Sequence, residues 1–217
     1  MKSNIKIDTN DSRLPSSYSS SNKTNTLTVY TFGLIGITVI LNLCLHFDTY
    51  HPNLLMKGAS FTNSTQKIML LITAFSFYNL RRWRKDIKNA LVFVSAIFMV
   101  VFLYKSNYWI KNVFHVPWYL PAMKFFAIAA LLVFRNGVET LHQLKQLFSN
   151  HSAVLAVASL FMLLALVGFF NMNSVWQHLL LGHYSTSLMT TISESTQLAF
   201  FSFIAIEAIK VRRSLKN

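Results

Sequence analysis

The chain is short of charge. Asp, Glu, Lys and Arg make up 12% of its 217 residues, where a soluble domain carries roughly 25%. That shortage excludes an ordinary water-facing surface. The missing charge is missing from the interiors of long apolar runs, as contact with lipid requires. Cysteine is almost absent. Cys44 is the only one, which excludes an intrachain disulfide and any multi-cysteine metal site. It lies in an apolar run and reads as a buried thiol. Acidic residues are also scarce, seven against 20 Lys and Arg. No phosphate-binding glycine loop, no Gly-x-Ser-x-Gly and no Cys/His nucleophile pair occurs, so the common nucleotide-binding and hydrolase chemistries gain no support.

Long apolar runs are what the chain does have. A bilayer core about 30 Å thick needs roughly 20 apolar residues of helix. Six stretches qualify as helices of a polytopic, all-α integral membrane bundle: Leu27 to His46, about Ser60 to Leu80, Lys88 to Tyr104, Trp118 to Phe134, Ser152 to Phe170, and about Ser187 to Ile209. The second is the weakest, and Lys67 within it is expected to snorkel outward. Residues 1–25 are rich in Ser, Asn, Thr and Lys and read as a disordered tail. Residues 26–210 form the expected six-helix transmembrane domain, and 211–217 a basic tail.

Charge then assigns the sides. The tail, the gap after the second run, the gap after the fourth and the C-terminus hold 15 of the 20 Lys and Arg. The other gaps hold Lys57, Lys67, Lys105, Lys111 and Lys124. Basic residues are retained in cytoplasmic loops, so both termini are expected in the cytoplasm of a plasma or bacterial inner membrane. The net charge of +13 is thereby assigned to topology, and a nucleic-acid partner is not expected. The expected partners are the lipid bilayer and either other membrane proteins or a second copy of the chain. Tyr104, Tyr108, Trp109, Trp118 and Tyr119 cluster at the outer boundary, where half-apolar rings favour headgroup depth. Residues 138–148 repeat Val138, Leu141, Leu144, Leu147 and Phe148 at helical spacing, which predicts a short amphipathic helix on the inner leaflet.

Two constellations carry chemistry. Glu194 is a carboxylate inside the sixth run, expensive there and by default a functional candidate. Thr190, Thr191, Glu194 and Gln197 recur at three- and four-residue steps and form one polar stripe. Asn42, in the first run, lies at comparable depth. Together these residues predict a polar interior in the outer half of the bundle. Glu207 falls roughly 140° around the helix from Glu194 and reads as an interfacial charge partner of Lys210 and Arg212.

The second constellation is a set of outer-side histidines, His46, His51, His115, His178 and His183, with Asp48. Imidazole and carboxylate suit zinc, iron or copper. Against this, His178 and His183 are five apart and diverge on a helix, and no His-Glu-x-x-His is present. Glu139-x-x-His142 has the spacing of a di-iron half-motif in a single copy. Arg81, Arg82, Arg84 and Lys85 are topology determinants that also suit anionic lipid headgroups. Asn63-Ser64-Thr65 has a glycosylation pattern.

The expected role is non-enzymatic: passage of a small solute or ion, or assembly with membrane partners, through the polar interior around Glu194, with no cofactor. The alternative is a membrane-embedded enzyme acting on lipid or a small substrate, its metal held by His46, Asp48, His115, His178 and His183.

Overall fold

A computed structural model describes residues 18–50, 60–135, 137–170, 172, 176 and 185–216. The regular elements are all helical: α1 (Tyr18–Tyr50), α2 (Phe61–Leu80), a 3-10 turn (Lys85–Ile87), α3 (Lys88–Lys105), α4 (Asn107–Phe114), α5 (Tyr119–Arg135), α6 (Gly137–Phe148), α7 (His151–Phe170) and α8 (Thr186–Lys216). The chain is an all-α, multi-pass membrane bundle.

Among the described residues, four helical stretches are long and apolar enough to span a bilayer: Tyr30–Asp48, Lys85–Lys105, His151–Phe170 and Met189–Lys216. α4 and α5, joined across a 111° bend, make a fifth if taken as one broken span. The expected six are therefore four or five by this measure. α2 falls short because its opening turns, Thr62 to Lys67, are polar throughout. α5 alone falls short in length: 17 residues rise about 26 Å.

Packing divides the chain into two units, residues 1–35 and 36–217. The first is described from residue 18 onward as the opening part of α1, where Phe32, Leu34 and Ile35 are exposed. α1 thus begins inside the stretch whose composition marks it as tail. Residues 1–17 lie outside the described residues.

The core of the second unit is built by α2, α3, α7 and α8. Leu70, Phe77, Leu91, Phe98, Leu160 and Ile204 are buried in one cluster. Alanines at 74, 90, 153, 156 and 208 belong to the same cluster and let the backbones approach closely. Small residues do this in membrane bundles, where dispersion rather than water expulsion holds helices together. The rings of Phe77 and Phe98 lie parallel within 3°, their centroids 5.8 Å apart. α7 buries Ala153, Ala156, Leu160 and Leu163, a single stripe. Its other faces expose Val154, Phe161, Met162 and Leu164, so it is apolar all round, as a lipid-facing span must be.

α6 forms where periodicity predicts, but only the later part of its apolar stripe docks, Leu147 in the core with Leu144 packed against it. Thr140, Gln143 and Leu147 are buried, whereas Val138 is 87% and Leu141 68% exposed. The reason is the start of α3, which has no side-chain cap of its own. Gln143 Oε1 accepts hydrogen bonds from the Asn89 N–H (3.0 Å) and the Ala90 N–H (3.4 Å). Gln143 Nε2 donates to Glu139 Oε1 at 3.1 Å. Free N–H groups at a helix start are costly to leave bare, and supplying them turns Gln143 inward and Val138 and Leu141 outward.

Candidate functional site

The start of α2 sets one wall of the site. Ser60 caps it, its Oγ accepting the Asn63 N–H at 3.0 Å. Asp48, near the end of α1, caps it a second time: its carboxylate accepts the Phe61 N–H (2.7 Å), the Thr62 N–H (3.0 Å) and the Thr62 hydroxyl. A carboxylate is favoured here because the helix dipole leaves partial positive charge at the first turn. Cys44, buried one turn earlier on α1, contacts Thr65 Oγ1 through its Sγ at 3.5 Å. Beyond this double cap, α2 presents Gln66 and Lys67, both buried.

Three helices meet at that level. Gln66 Nε2 donates to the main-chain carbonyl of Glu194 on α8 at 2.8 Å. Lys105, the last residue of α3, donates through Nζ to Gln197 Oε1. Gln197 Nε2 in turn donates to Ser193 Oγ at 3.0 Å. The Lys105 ammonium is attracted by Glu194 and repelled by Lys67, and Asp48 adds its own negative field at Glu194. Gln66, Lys105 and Gln197 thus form a polar centre between α2, α3 and α8 beside Glu194, with buried or half-buried side chains. Such a centre can hold an ion or a small polar solute, or exchange a proton.

Of the expected stripe, Gln197 is bonded to Lys105 of α3, and the main-chain carbonyl of Glu194 to Gln66 of α2; Lys67, next to Gln66, is buried. Thr190 and Thr191 continue the stripe but are exposed. Asn42 does not join the contacts around Glu194: it is exposed and its Nδ2 donates to Thr38 O on its own helix at 2.9 Å. Lys67 is buried rather than snorkelling outward. Lys67 and Lys105 were foreseen only as topology charges. Their signal was that they stand against the positive-inside trend, on the side where Lys and Arg are few.

Of the histidine constellation, His46, His115 and Asp48 are among the described residues. His46 is exposed and stacks on Tyr50, ring centroids 4.3 Å apart. His115 is exposed and ends α4 in a left-handed conformation, φ 54°. Asp48 serves the α2 terminus. His51, His178 and His183 lie outside the described residues. Among the described residues, no group of three or more His, Cys, Asp and Glu is placed to hold a metal ion. Glu139 and His142 sit on α6, both exposed, with Glu139 bound to Gln143. Asn63 of the glycosylation pattern lies in the first turn of α2, half-buried.

At the other end of α2, Arg81, Arg82, Lys85 and Lys88 line an open basic hollow of about 470 Å³. Arg84 is not part of it. It pairs with Asp86 through both carboxylate oxygens, the shortest contact 2.7 Å, and that hydrogen bonding raises its already high pKa.

Comparison with protein-family models, with curated proteins and with solved structures finds no match to this chain.

Proposed function

We propose that the chain is a non-enzymatic, multi-pass membrane protein that passes a small solute or ion through the outer half of its bundle. In this reading α2 and α5 are also embedded, giving six spans with both termini in the cytoplasm. The distribution of Lys and Arg supports that orientation. The observation that carries the function is the pair of polar contacts that Gln66 of α2 and Lys105 of α3 make with α8 at Glu194 and Gln197. Charged side chains are costly within a membrane and mark ion and proton paths.

The test is flux in proteoliposomes holding the full chain, read with dyes for protons, alkali cations and chloride. The expected result is passage of one of these by the wild type, lost in Glu194→Gln while the variant keeps its thermal stability. If the wild type passes none of them and Glu194→Gln instead loses stability, the centre is a structural clasp. Assembly with membrane partners then becomes the better account.

A further inference from the structure

We propose that the chain binds one anionic phospholipid in a built site at the basic end of α2. The site has two parts, and Arg81 belongs to both. The first is an apolar groove of about 350 Å³ between α2, α3 and α5. Phe75, Met99, Phe125, Ile128 and Leu132 form its walls, and Ala74, Ala96 and Ala129 keep it open where a larger side chain would close it. The polar group in its floor is already satisfied: the Ser95 hydroxyl donates to Ala74 O at 2.9 Å. Apart from Tyr78 and Arg81 at its basic end, the groove is therefore apolar and suits a hydrocarbon chain.

The second part is the basic hollow lined by Arg81, Arg82, Lys85 and Lys88. Among the described residues, none of these four forms a salt bridge. Asp86, the neighbouring carboxylate, is occupied by Arg84 and also accepts from Gln146 Nε2 at 3.3 Å. Arg81 is steadied at the junction by Tyr78, its guanidinium 3.7 Å from the ring centroid. Four uncompensated cations need an anion, and the adjoining groove needs an acyl chain. One molecule supplies both, with a phosphate at one end and hydrocarbon at the other. Charge complementarity selects an anionic headgroup over a zwitterionic one, and the groove selects a lipid over free phosphate. This site lies at the opposite end of α2 from Gln66, and it does not depend on what Glu194 does.

Native mass spectrometry of the detergent-solubilised full chain provides the test. It is titrated with phosphatidylglycerol and with phosphatidylcholine of identical acyl chains, with and without inorganic phosphate. Phosphatidylglycerol is expected to bind about tenfold more tightly, and millimolar phosphate to leave it bound. Lys85 and Lys88 are exposed, so Lys85→Gln with Lys88→Gln keeps the fold. Each lost charge is expected to weaken phosphatidylglycerol binding about fivefold, with phosphatidylcholine unaffected. Ala129→Leu, which fills the groove, is expected to weaken both lipids. Equal binding of the two lipids, displacement by phosphate, or unchanged phosphatidylglycerol binding in the double variant would each overturn the proposal.

Discussion

The side-chain amide of Gln66 donates to the main-chain carbonyl of Glu194 at 2.8 Å, joining α2 to α8 across 128 positions of sequence. Gln66 is wholly buried, and its other amide atom, Oε1, has no partner. A made hydrogen bond contributes about 1 kcal/mol net, whereas a buried unpaired acceptor costs about 1–3 kcal/mol. Gln66→Leu removes both at nearly constant volume, so thermal unfolding in detergent is expected to show equal or slightly higher stability. Gln66→Ala leaves a cavity as well and is expected to lose about 2–4 kcal/mol. A large loss in Gln66→Leu would mean that the amide does more than bridge two helices.

Asp48 holds the first turn of α2. Asp48→Ala is expected to cost about 1–2 kcal/mol, the ordinary value of a lost helix cap. Amide hydrogen exchange should localise the loss, with the Phe61 and Thr62 N–H groups exchanging faster and Leu80 unchanged. Purified wild type and variant should contain the same amount of metal. A stoichiometric metal that disappears in Asp48→Ala would restore the enzyme alternative.

Glu207 is wholly buried and pairs with Lys210, as its position implies. One of its oxygens accepts from Lys210 Nζ at 2.8 Å, and among the described residues the other has no partner. Removing one member of a buried pair strands a charge, at a cost of about 3–5 kcal/mol, whereas replacing both with apolar residues is often neutral. Lys210→Met is therefore expected to destabilise strongly, and Glu207→Leu combined with Lys210→Met to recover most of the loss. The double-mutant cycle, read by thermal unfolding in detergent, checks this. Additive losses would show that the two residues act independently.

Where the helices lie was legible because run length and end chemistry are local properties. The apolar run Ser152 to Phe170 became α7 almost residue for residue. Ser60, three residues before Asn63, marked the start of α2 by a capping bond that needs no tertiary contact. What was illegible is which helix faces meet. Glu194 announced itself as a carboxylate in an apolar run, but nothing in its neighbourhood names Gln66 or Lys105, which arrive from other helices. Asn42 shared its depth and not its direction, because depth follows from counting along a helix while direction follows from packing. α6 shows the same limit from the other side. Its apolar stripe was plain, yet Val138 and Leu141 face outward while Gln143 turns in to the N–H groups of α3, some 54 positions earlier.

The capping of α3 by Gln143 also constrains the order of synthesis. A ribosome makes Asn89 and Ala90 long before it makes Gln143, so α3 must leave the translocation machinery with those amides bare or held by water. Gln66 waits longer still, until Glu194 follows it out. The growing chain therefore passes through a stage in which α2 and α3 are complete but their polar contacts are not. During that interval Gln66 and Lys105 have neither Glu194 nor Gln197 to meet them.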